Sequence, residues 1–239
     1  QSQRYLSPPM MANHLTMNTT TTDQEDAPMD AAETGDPRRE KMARIVELGH
    51  DPWGQRFDGR IAIKTIRDRV DEVVFRQEDG TQVELLDPAE QDDDFQFRQW
   101  LSELGPGEMV GPKVRAAGRI VLQRDKGKLR FVDIRDMTGQ IQLFIGLKQV
   151  GEANFDLCKC FDLGDIVGVD GELRRTKTGE LTIFAEKLTI LCKSLAPPPE
   201  KHHGLKDAEM RQRMRYLDLT YGDGVMARFM DRTKIVQSI

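Results

Sequence analysis

Residues 114–144 constrain the fold most, because apolar and polar residues alternate along them in three runs separated by two turns. Successive side chains of a β-strand point to opposite faces of a sheet, so this alternation predicts three strands with one buried face each. The expected buried face of the first strand consists of Val114, Ala116, Ile120 and Leu122. On the opposite faces the three strands present a cation, an aromatic ring and an amide: Arg119, Phe131 and Gln142.

These three side chains suit the recognition of an unstacked nucleobase. An aromatic ring can stack on a base, while a cation and an amide can hydrogen-bond its edge. Phe131 could instead belong to the core, but Val132 and Ile134 already supply the buried phase of its strand. The turn between the first two strands adds four basic residues, Arg124, Lys126, Lys128 and Arg130. They either contact phosphates or form a solvated hairpin tip, and the sequence favours neither.

Two further strands are predicted at residues 165–176 and 180–191, after a helix at residues 148–160. Five strands with one helix between the third and the fourth is the plan of the OB-fold, a small barrel that binds oligonucleotides. Glycines within the strands permit the bends that such a barrel needs: Gly118, Gly168 and Gly171. The predicted fold is therefore mainly β, with a five-stranded OB-fold barrel.

The net charge of the chain is −5, which argues against a general nucleic-acid-binding protein. The distribution is uneven, however. Residues 112–193 contain 15 Lys or Arg against 11 Asp or Glu, a local net charge of +4. Residues 67–111, the acidic segment, contain 4 against 13, a local net charge of −9. The barrel thus carries enough positive charge to contact a few phosphates. The acidic segment has no assignable role. Residues 87–104 within it are expected to form a solvated loop followed by a short helix.

The segments before the barrel are predicted from their turns and caps. Residues 1–36 are polar and of low complexity, and are expected to be a disordered tail. Residues 37–49 favour a helix with proline in its first turn and glycine at its end, which either packs on its neighbour or contacts an RNA backbone. Residues 51–66 are expected to be a connector, and residues 73–86 a hairpin that turns at Asp79 and Gly80.

After the barrel, the APPP sequence at residues 196–199 predicts a stiff linker. Asp207 can cap a helix that runs to Arg215, and a second helix is expected from about Gly224 onward. No apolar run approaches the roughly 18–20 residues that span a bilayer. Three cysteines without partners at zinc spacing predict reduced thiols in the cytoplasm and no metal site. His202 and His203 are expected to be linker residues, and no catalytic constellation is evident.

The sequence closely resembles class II lysyl-tRNA synthetases at residues 37–66 and 112–239. The residues that carry the resemblance are HGLKD at 203–207 and RYLDL at 215–219, together with the TKTGEL turn at 176–181. RYLDL alone is weak because aspartyl-type synthetases share it, but the full set is specific. In that family, the corresponding segment joins an anticodon-binding OB domain to the catalytic domain.

The resemblance implies roles for the polar face of the barrel. In the family, the central uridine of the anticodon stacks on a phenylalanine of strand two, while a glutamine and an arginine bond its edge. By position, these correspond to Phe131, Gln142 and Arg119. A glutamate after the last turn, here Glu180, lies near the neighbouring anticodon bases. The implied partner is the anticodon stem-loop of a lysine tRNA.

The family's ATP, Mg²⁺ and lysine sites belong to a catalytic domain of which only the start is expected here. The resemblance therefore implies a parent lysine–tRNA ligase that uses ATP and Mg²⁺, and a 239-residue chain that is inactive alone. The full-length family is homodimeric, whereas this chain is expected to be a monomer or weak dimer. Two alternatives stay open: a free-standing OB module that binds single-stranded nucleic acid, and part of an aspartate- or asparagine-type synthetase.

The predicted organisation has four parts. Residues 1–36 form the tail, residues 37–111 a helical extension with the acidic segment, and residues 112–193 the OB-fold domain. Residues 194–239 form the linker and the start of an α+β catalytic domain that is truncated.

Overall fold

The computed structural model describes residues 36–54, 56–92, 95–198, 208–222 and 224–239. They lie in the unit Gly35–Ile239, while the unit Gln1–Thr34, and with it the predicted tail except Asp36, lies outside the described residues. His202, His203 and Asp207 also lie outside them. Among the described residues, no helix is long and apolar enough to cross a membrane.

Five strands close into a barrel, as the alternation predicts. They are β4 (Lys113–Asp125), β5 (Leu129–Arg135), β6 (Gln140–Gly146), β7 (Ile166–Arg175) and β8 (Leu181–Cys192). Their order around the barrel is β4-β5-β6-β8-β7, with β6 and β8 parallel and the other described pairs antiparallel. Helix α4 (Leu147–Lys159) connects β6 to β7. The chain is therefore mainly β, and the prediction of a five-stranded OB-fold barrel is confirmed.

The barrel interior is filled by the apolar residues of alternate strand positions. Fully buried members from all five strands are Ile120, Ile134, Ile141, Leu143, Leu173 and Ile183. Close backbone approach explains the glycines within the strands. A Cβ at Gly118 would lie 2.9 Å from the Arg135 carbonyl oxygen, and one at Gly171 would lie 2.3 Å from the Phe184 carbonyl oxygen. Both positions thus exclude any side chain.

A β-bulge in β4 shifts the alternation within the first predicted strand. Ile120 pairs with Ile134, but the next paired residue, Leu122, lies opposite Asp133. The extra residue moves Leu122 to the outer face, which corrects its predicted place in the core, and moves Gln123 to the inner phase opposite Val132. The remainder of the strand therefore presents its even-numbered side chains outward.

The N-terminal helix α1 (Pro37–Glu47) is capped by Asp36, whose carboxylate accepts a hydrogen bond from the Arg38 amide. Two of its basic residues bind the barrel. Arg38 donates to the Leu163 and Ser194 carbonyls, and Lys41 pairs with Asp162 at 2.6 Å. These contacts favour the interpretation that α1 packs on its neighbour.

Asp162 also lies 2.5 Å from the ammonium nitrogen of Lys193, which is fully buried between Asp162 and Asp165. The Lys193 ammonium lies 2.9 Å from Asp165, so the end of β8 is tied to the start of β7.

Residues 51–66 are more regular than a connector, since helix α2 occupies Ile63–Arg67. The acidic segment contains β1 (Val74–Gln77), β2 (Gln82–Glu84), helix α3 (Phe97–Glu103) and β3 (Gly107–Val110). The predicted hairpin is present, and β3 extends it to a three-stranded sheet in the order β2-β1-β3. Phe75 and Phe97 are each only 4% exposed, so the acidic segment buries apolar side chains. Within residues 87–104 the expected short helix is present as α3, the 3₁₀ helix Pro88–Glu90 occupies part of the expected loop, and Phe97 is buried rather than solvated.

The C-terminal part is helical, with α5 (Ala208–Arg213), α6 (Arg215–Tyr221) and α7 (Val225–Gln237). Asp218 is 2% exposed and accepts from Arg211 and Arg215, which joins α5 to α6. Arg135 of β5 donates to the Thr220 carbonyl at 2.6 Å. One end of the barrel's outer face is thus occupied by α6.

Candidate nucleic-acid interface

Three phenylalanines form a continuous row across the outer face of β5, β6 and β8. Phe131 pairs in register with Phe144, and Phe144 pairs with Phe184. The Phe131 and Phe144 rings meet edge to face with centroids 5.6 Å apart, and the Phe144 and Phe184 rings are stacked at 4.5 Å. All three rings are half-buried. A row of aromatic rings on a barrel surface is a platform on which bases can stack.

An arginine stands at each end of this aromatic row. The Arg124 guanidinium lies 5.7 Å from the Phe131 ring centroid, and that of Arg174 lies 5.6 Å from the Phe184 centroid. Arg124 is about half exposed and its nearest carboxylate, that of Asp133, is 3.9 Å away. Its charge is therefore only weakly compensated and can serve a base edge or a phosphate.

Gln142 lies two residues before Phe144 on β6, on the same face, and is opposite Asp133 on β5 and Thr182 on β8. The Thr182 hydroxyl is within 3.2 Å of the Gln142 amide oxygen and within 3.1 Å of the Glu180 carbonyl oxygen. Thr182 is fully buried, so this contact holds one end of the amide in place. Among the described residues, the Gln142 amide nitrogen has no partner that would compete with a base.

The structure brings Phe131 and Gln142 together but does not bring Arg119 to them. Arg119 pairs with Arg135, which is four residues, or about 13 Å, along β5 from Phe131. Its guanidinium donates to the Gly164 carbonyl at 2.7 Å, near the end of the barrel that α6 occupies. The register of β4 and β5 before the bulge is the reason, because it pairs Arg119 with Arg135, while the bulge brings Arg124 rather than Gln123 opposite Phe131. The expectation that Arg119 shares the site is corrected: Arg124 occupies that place.

Glu180 extends the same outer face at the start of β8. It is exposed, and its backbone closes the β7–β8 hairpin through its carbonyl oxygen, which accepts from the Thr176 amide at 2.9 Å. Because β8 alternates its faces, Glu180, Thr182 and Phe184 lie in one line along the strand. The exposed Glu180 carboxylate can therefore accept a hydrogen bond from a ligand on this face.

The β4–β5 turn exposes Arg124, Lys126 and Lys128, as expected for phosphate contacts or for a solvated tip. Arg130, at the base of the same turn, is different. It pairs with Asp125 and donates to the Cys158 carbonyl at 2.8 Å, so its guanidinium serves the packing of α4 on the barrel.

The sequence analysis did not identify Phe144, Phe184 or Arg174 as parts of this site. Phe144 shares the strand phase of Gln142, so the alternation did contain a signal for it. Phe184 could not be placed, because the parallel pairing of β6 with β8 joins strands that are 40 residues apart at Gln142 and Thr182.

Glu172 anchors the far end of the aromatic row. Its carboxylate accepts hydrogen bonds from Nε and Nη2 of Arg174 at 2.8 and 2.9 Å and from the Gly111 amide at 3.0 Å. Burial opposes ionisation of this carboxyl, but the hydrogen bonds from Arg174, Gly111 and Lys113 outweigh it and lower the pKa of Glu172 to about 2. The Glu172 carboxylate is therefore charged at neutral pH and holds Arg174 at the Phe184 ring.

Comparison with known proteins agrees with this geometry. Residues 114–191 match the tRNA anti-codon family, an OB-fold nucleic acid binding domain. The chain is 38% identical over 202 residues to the lysine–tRNA ligases of Staphylococcus aureus strains Mu3 and N315. The alignment covers 84% of this chain and 35% of each relative, so the chain spans about a third of the length of these relatives.

Both the matched domain and the relatives agree with the resemblance seen in the sequence. Residues 114–191 are thus similar to an OB-fold nucleic acid binding domain, and the chain is similar to about a third of a lysine–tRNA ligase.

Proposed function

We propose that the barrel binds the anticodon loop of a lysine tRNA, with the central uridine stacked on Phe131. The observation that carries this proposal is the row of three phenyl rings with Arg124 and Gln142 beside it on one OB-fold face. Stacking of a base on an aromatic ring contributes about 1–3 kcal/mol. The Gln142 amide, held by Thr182, supplies a hydrogen-bonding group that a mismatched base would leave unpaired.

For the parent protein, we propose ATP-dependent attachment of lysine to its tRNA in the cytoplasm. The similarity to lysine–tRNA ligases over 84% of the chain supports this activity. That activity uses ATP and Mg²⁺, but the described residues contain no group of three or more potential ligands that could hold a metal ion. We propose that this chain contributes anticodon binding to that activity.

We also propose the domain limits given by the sequence. Residues 37–111 form the extension with the acidic segment, 112–193 the OB-fold domain, and 194–239 the linker and the start of a catalytic domain. The 239-residue chain is expected to be a monomer or weak dimer, in contrast to a homodimeric full-length enzyme. Sedimentation velocity tests this expectation, and a tight dimer would contradict it.

The central test is binding to a lysine-type anticodon stem-loop at fixed salt, with the central base either uridine or cytidine. Phe131→Ala removes the stacking ring, and Phe229→Ala is the matched control because Phe229 lies on α7, outside the barrel. We expect the uridine-to-cytidine change and Phe131→Ala each to weaken binding by about 1–3 kcal/mol, whereas Phe229→Ala changes it little.

Equal binding of both stem-loops that ignores Phe131→Ala would refute the anticodon proposal. The barrel would then be a generic module that binds single-stranded nucleic acid.

A further inference from the structure

The acidic segment, which has no place in the proposed function, packs against the hairpin that joins β7 to β8. Asp87 pairs with Arg175 of β7 at 3.1 Å, and the Arg175 side chain is only 7% exposed. The same guanidinium donates to the Gly179 carbonyl at 2.7 Å. Arg175 therefore connects the acidic segment with the tip of the hairpin through two directional, charge-assisted contacts.

Asp87 is held in place by its own backbone. One of its carboxylate oxygens accepts from the Ala89 amide at 3.0 Å and caps the short 3₁₀ helix Pro88–Glu90, and the other faces Arg175. The amide of Ala89 and the charge of Arg175 lower the pKa of Asp87. The carboxylate is thus ionised and oriented at neutral pH.

Packing at the tip of the hairpin is equally close. Gly179 has a positive φ of 89°, and a Cβ built there would lie 2.4 Å from Pro88 Cγ and 3.2 Å from Phe97 Cγ. Phe97, on α3, is 4% exposed. Pro88 and Phe97 therefore press on the turn itself, and the hairpin has little room to move toward the acidic segment.

A second contact fixes the base of the hairpin. Gly111 at the end of the acidic segment donates to Glu172, whose carboxylate binds Arg174 beside the Phe184 ring. A Cβ at Gly111 would lie 1.9 Å from the Leu173 carbonyl oxygen, so the two backbones are in direct contact. The acidic segment thus holds the hairpin both at its tip and at its base.

We propose that the acidic segment is a brace that positions the β7–β8 hairpin, and with it Glu180 and Phe184, to read a base that flanks the central uridine. A hairpin without such support opens locally at little cost, and ordering it on binding would weaken affinity. The brace removes that cost in advance. This inference rests on the proposed anticodon binding, and it makes Asp87 and Phe97 positioning residues that touch no nucleotide.

Asp87→Asn tests the brace, because asparagine can still cap the 3₁₀ helix while the charge that holds Arg175 is lost. Phe97→Leu is a second variant that withdraws the ring from Gly179 and keeps an apolar side chain in the interior. Glu108→Gln is the matched control: Glu108 lies on β3 of the same segment and pairs with exposed Arg76, away from the hairpin. Each variant is measured in the whole chain.

Two readouts are used. Hydrogen exchange follows the hairpin amides of Thr176 and Gly179, which close the turn. Stem-loop binding follows the loss of affinity when either flanking base, or the central uridine, is replaced. In Asp87→Asn and Phe97→Leu we expect faster hairpin exchange and about a three- to tenfold smaller penalty for one flanking replacement. The penalty for the central replacement, and every value for Glu108→Gln, should stay within about twofold of the wild type.

A purely structural role for the acidic segment would lower all affinities together and leave the ratios between stem-loops unchanged, and that result would overturn the proposal. Unchanged hairpin exchange with intact stem-loop binding would also overturn it, while the anticodon proposal would stand. If the wild-type chain does not distinguish any of the stem-loops, the proposed function itself fails, and the recognition role of the brace fails with it.

Discussion

Substitution of the two arginines of β4 separates recognition from stability. Arg124 lies 5.7 Å from the Phe131 ring and is half exposed, whereas Arg119 is bonded to the Gly164 carbonyl at the other end of the barrel. Arg124→Gln should therefore weaken stem-loop binding and leave the fold intact. Arg119→Gln should destabilise the fold and leave the affinity of the folded protein unchanged.

The magnitudes follow from these surroundings. A cation at an exposed ring contributes about 0.5–1 kcal/mol, and about 2 kcal/mol once a stacked base excludes water. A charge-assisted hydrogen bond to the base or its phosphate adds about 1.5–3 kcal/mol. Allowing for overlap of the two, we expect Arg124→Gln to weaken binding about 10- to 100-fold. For Arg119→Gln, the orphaned Gly164 carbonyl costs about 1–3 kcal/mol of unfolding free energy.

Fluorescence anisotropy with a labelled stem-loop gives the affinities, and urea denaturation gives the unfolding free energies. Repeating the titration at several salt concentrations shows whether Arg124 meets a phosphate, because each such contact contributes about 0.7 to the slope of log K against log salt on single strands. If folded Arg119→Gln loses as much affinity as Arg124→Gln, the placement of the bulge and the site built on it are refuted.

Three further results are expected. Lys193→Met leaves the buried carboxylate of Asp165 without its partner and should cost about 3–5 kcal/mol of unfolding free energy in urea denaturation. The pKa of Glu172 is about 2 in the folded protein, below its unfolded value. The stability advantage of wild type over Glu172→Gln should therefore be complete above about pH 4.5 and vanish as the pH falls toward 2. Thermal unfolding measured over this pH range checks the prediction. Burial raises the pKa of the Cys158 thiol to about 11, so Cys158 should resist alkylation until unfolding, while partly exposed Cys192 reacts first.

The sequence predicted the barrel because most positions of its first three strands alternate and its glycines mark close backbone approaches. It also placed Phe131 and Gln142 in the outward phase of adjacent strands, as the structure has them. The resemblance to lysine–tRNA ligases was confirmed by the comparisons. These successes depend on local periodicity, which one strand or one hairpin reveals by itself.

The errors arose where distant residues decide the structure. A one-residue bulge is not marked by any residue type in β4, so the phase after Ile120, and hence the outward position of Arg124, was lost. The prediction for residues 87–104 followed from the charge of the acidic segment, but composition does not reveal that Phe75 and Phe97 are buried. The packing of the acidic segment on the β7–β8 hairpin is a tertiary contact, and no local sequence pattern predicts it.

The bulge in β4 also governs which substitutions this strand can accept during evolution. Before it, even-numbered positions such as Ala116 and Ile120 face the interior, and after it Gln123 takes the inner phase while Leu122 and Arg124 face outward. In a saturation mutagenesis experiment, polar substitutions should therefore be tolerated at odd-numbered positions before the bulge and at even-numbered positions after it. Loss of the codon for Val121 would remove the extra residue and leave Arg124 opposite Phe131, whereas loss of the codon for Gln123 would turn Arg124 to the inner phase and away from Phe131. A deletion at Val121 should therefore be tolerated better than a deletion at Gln123.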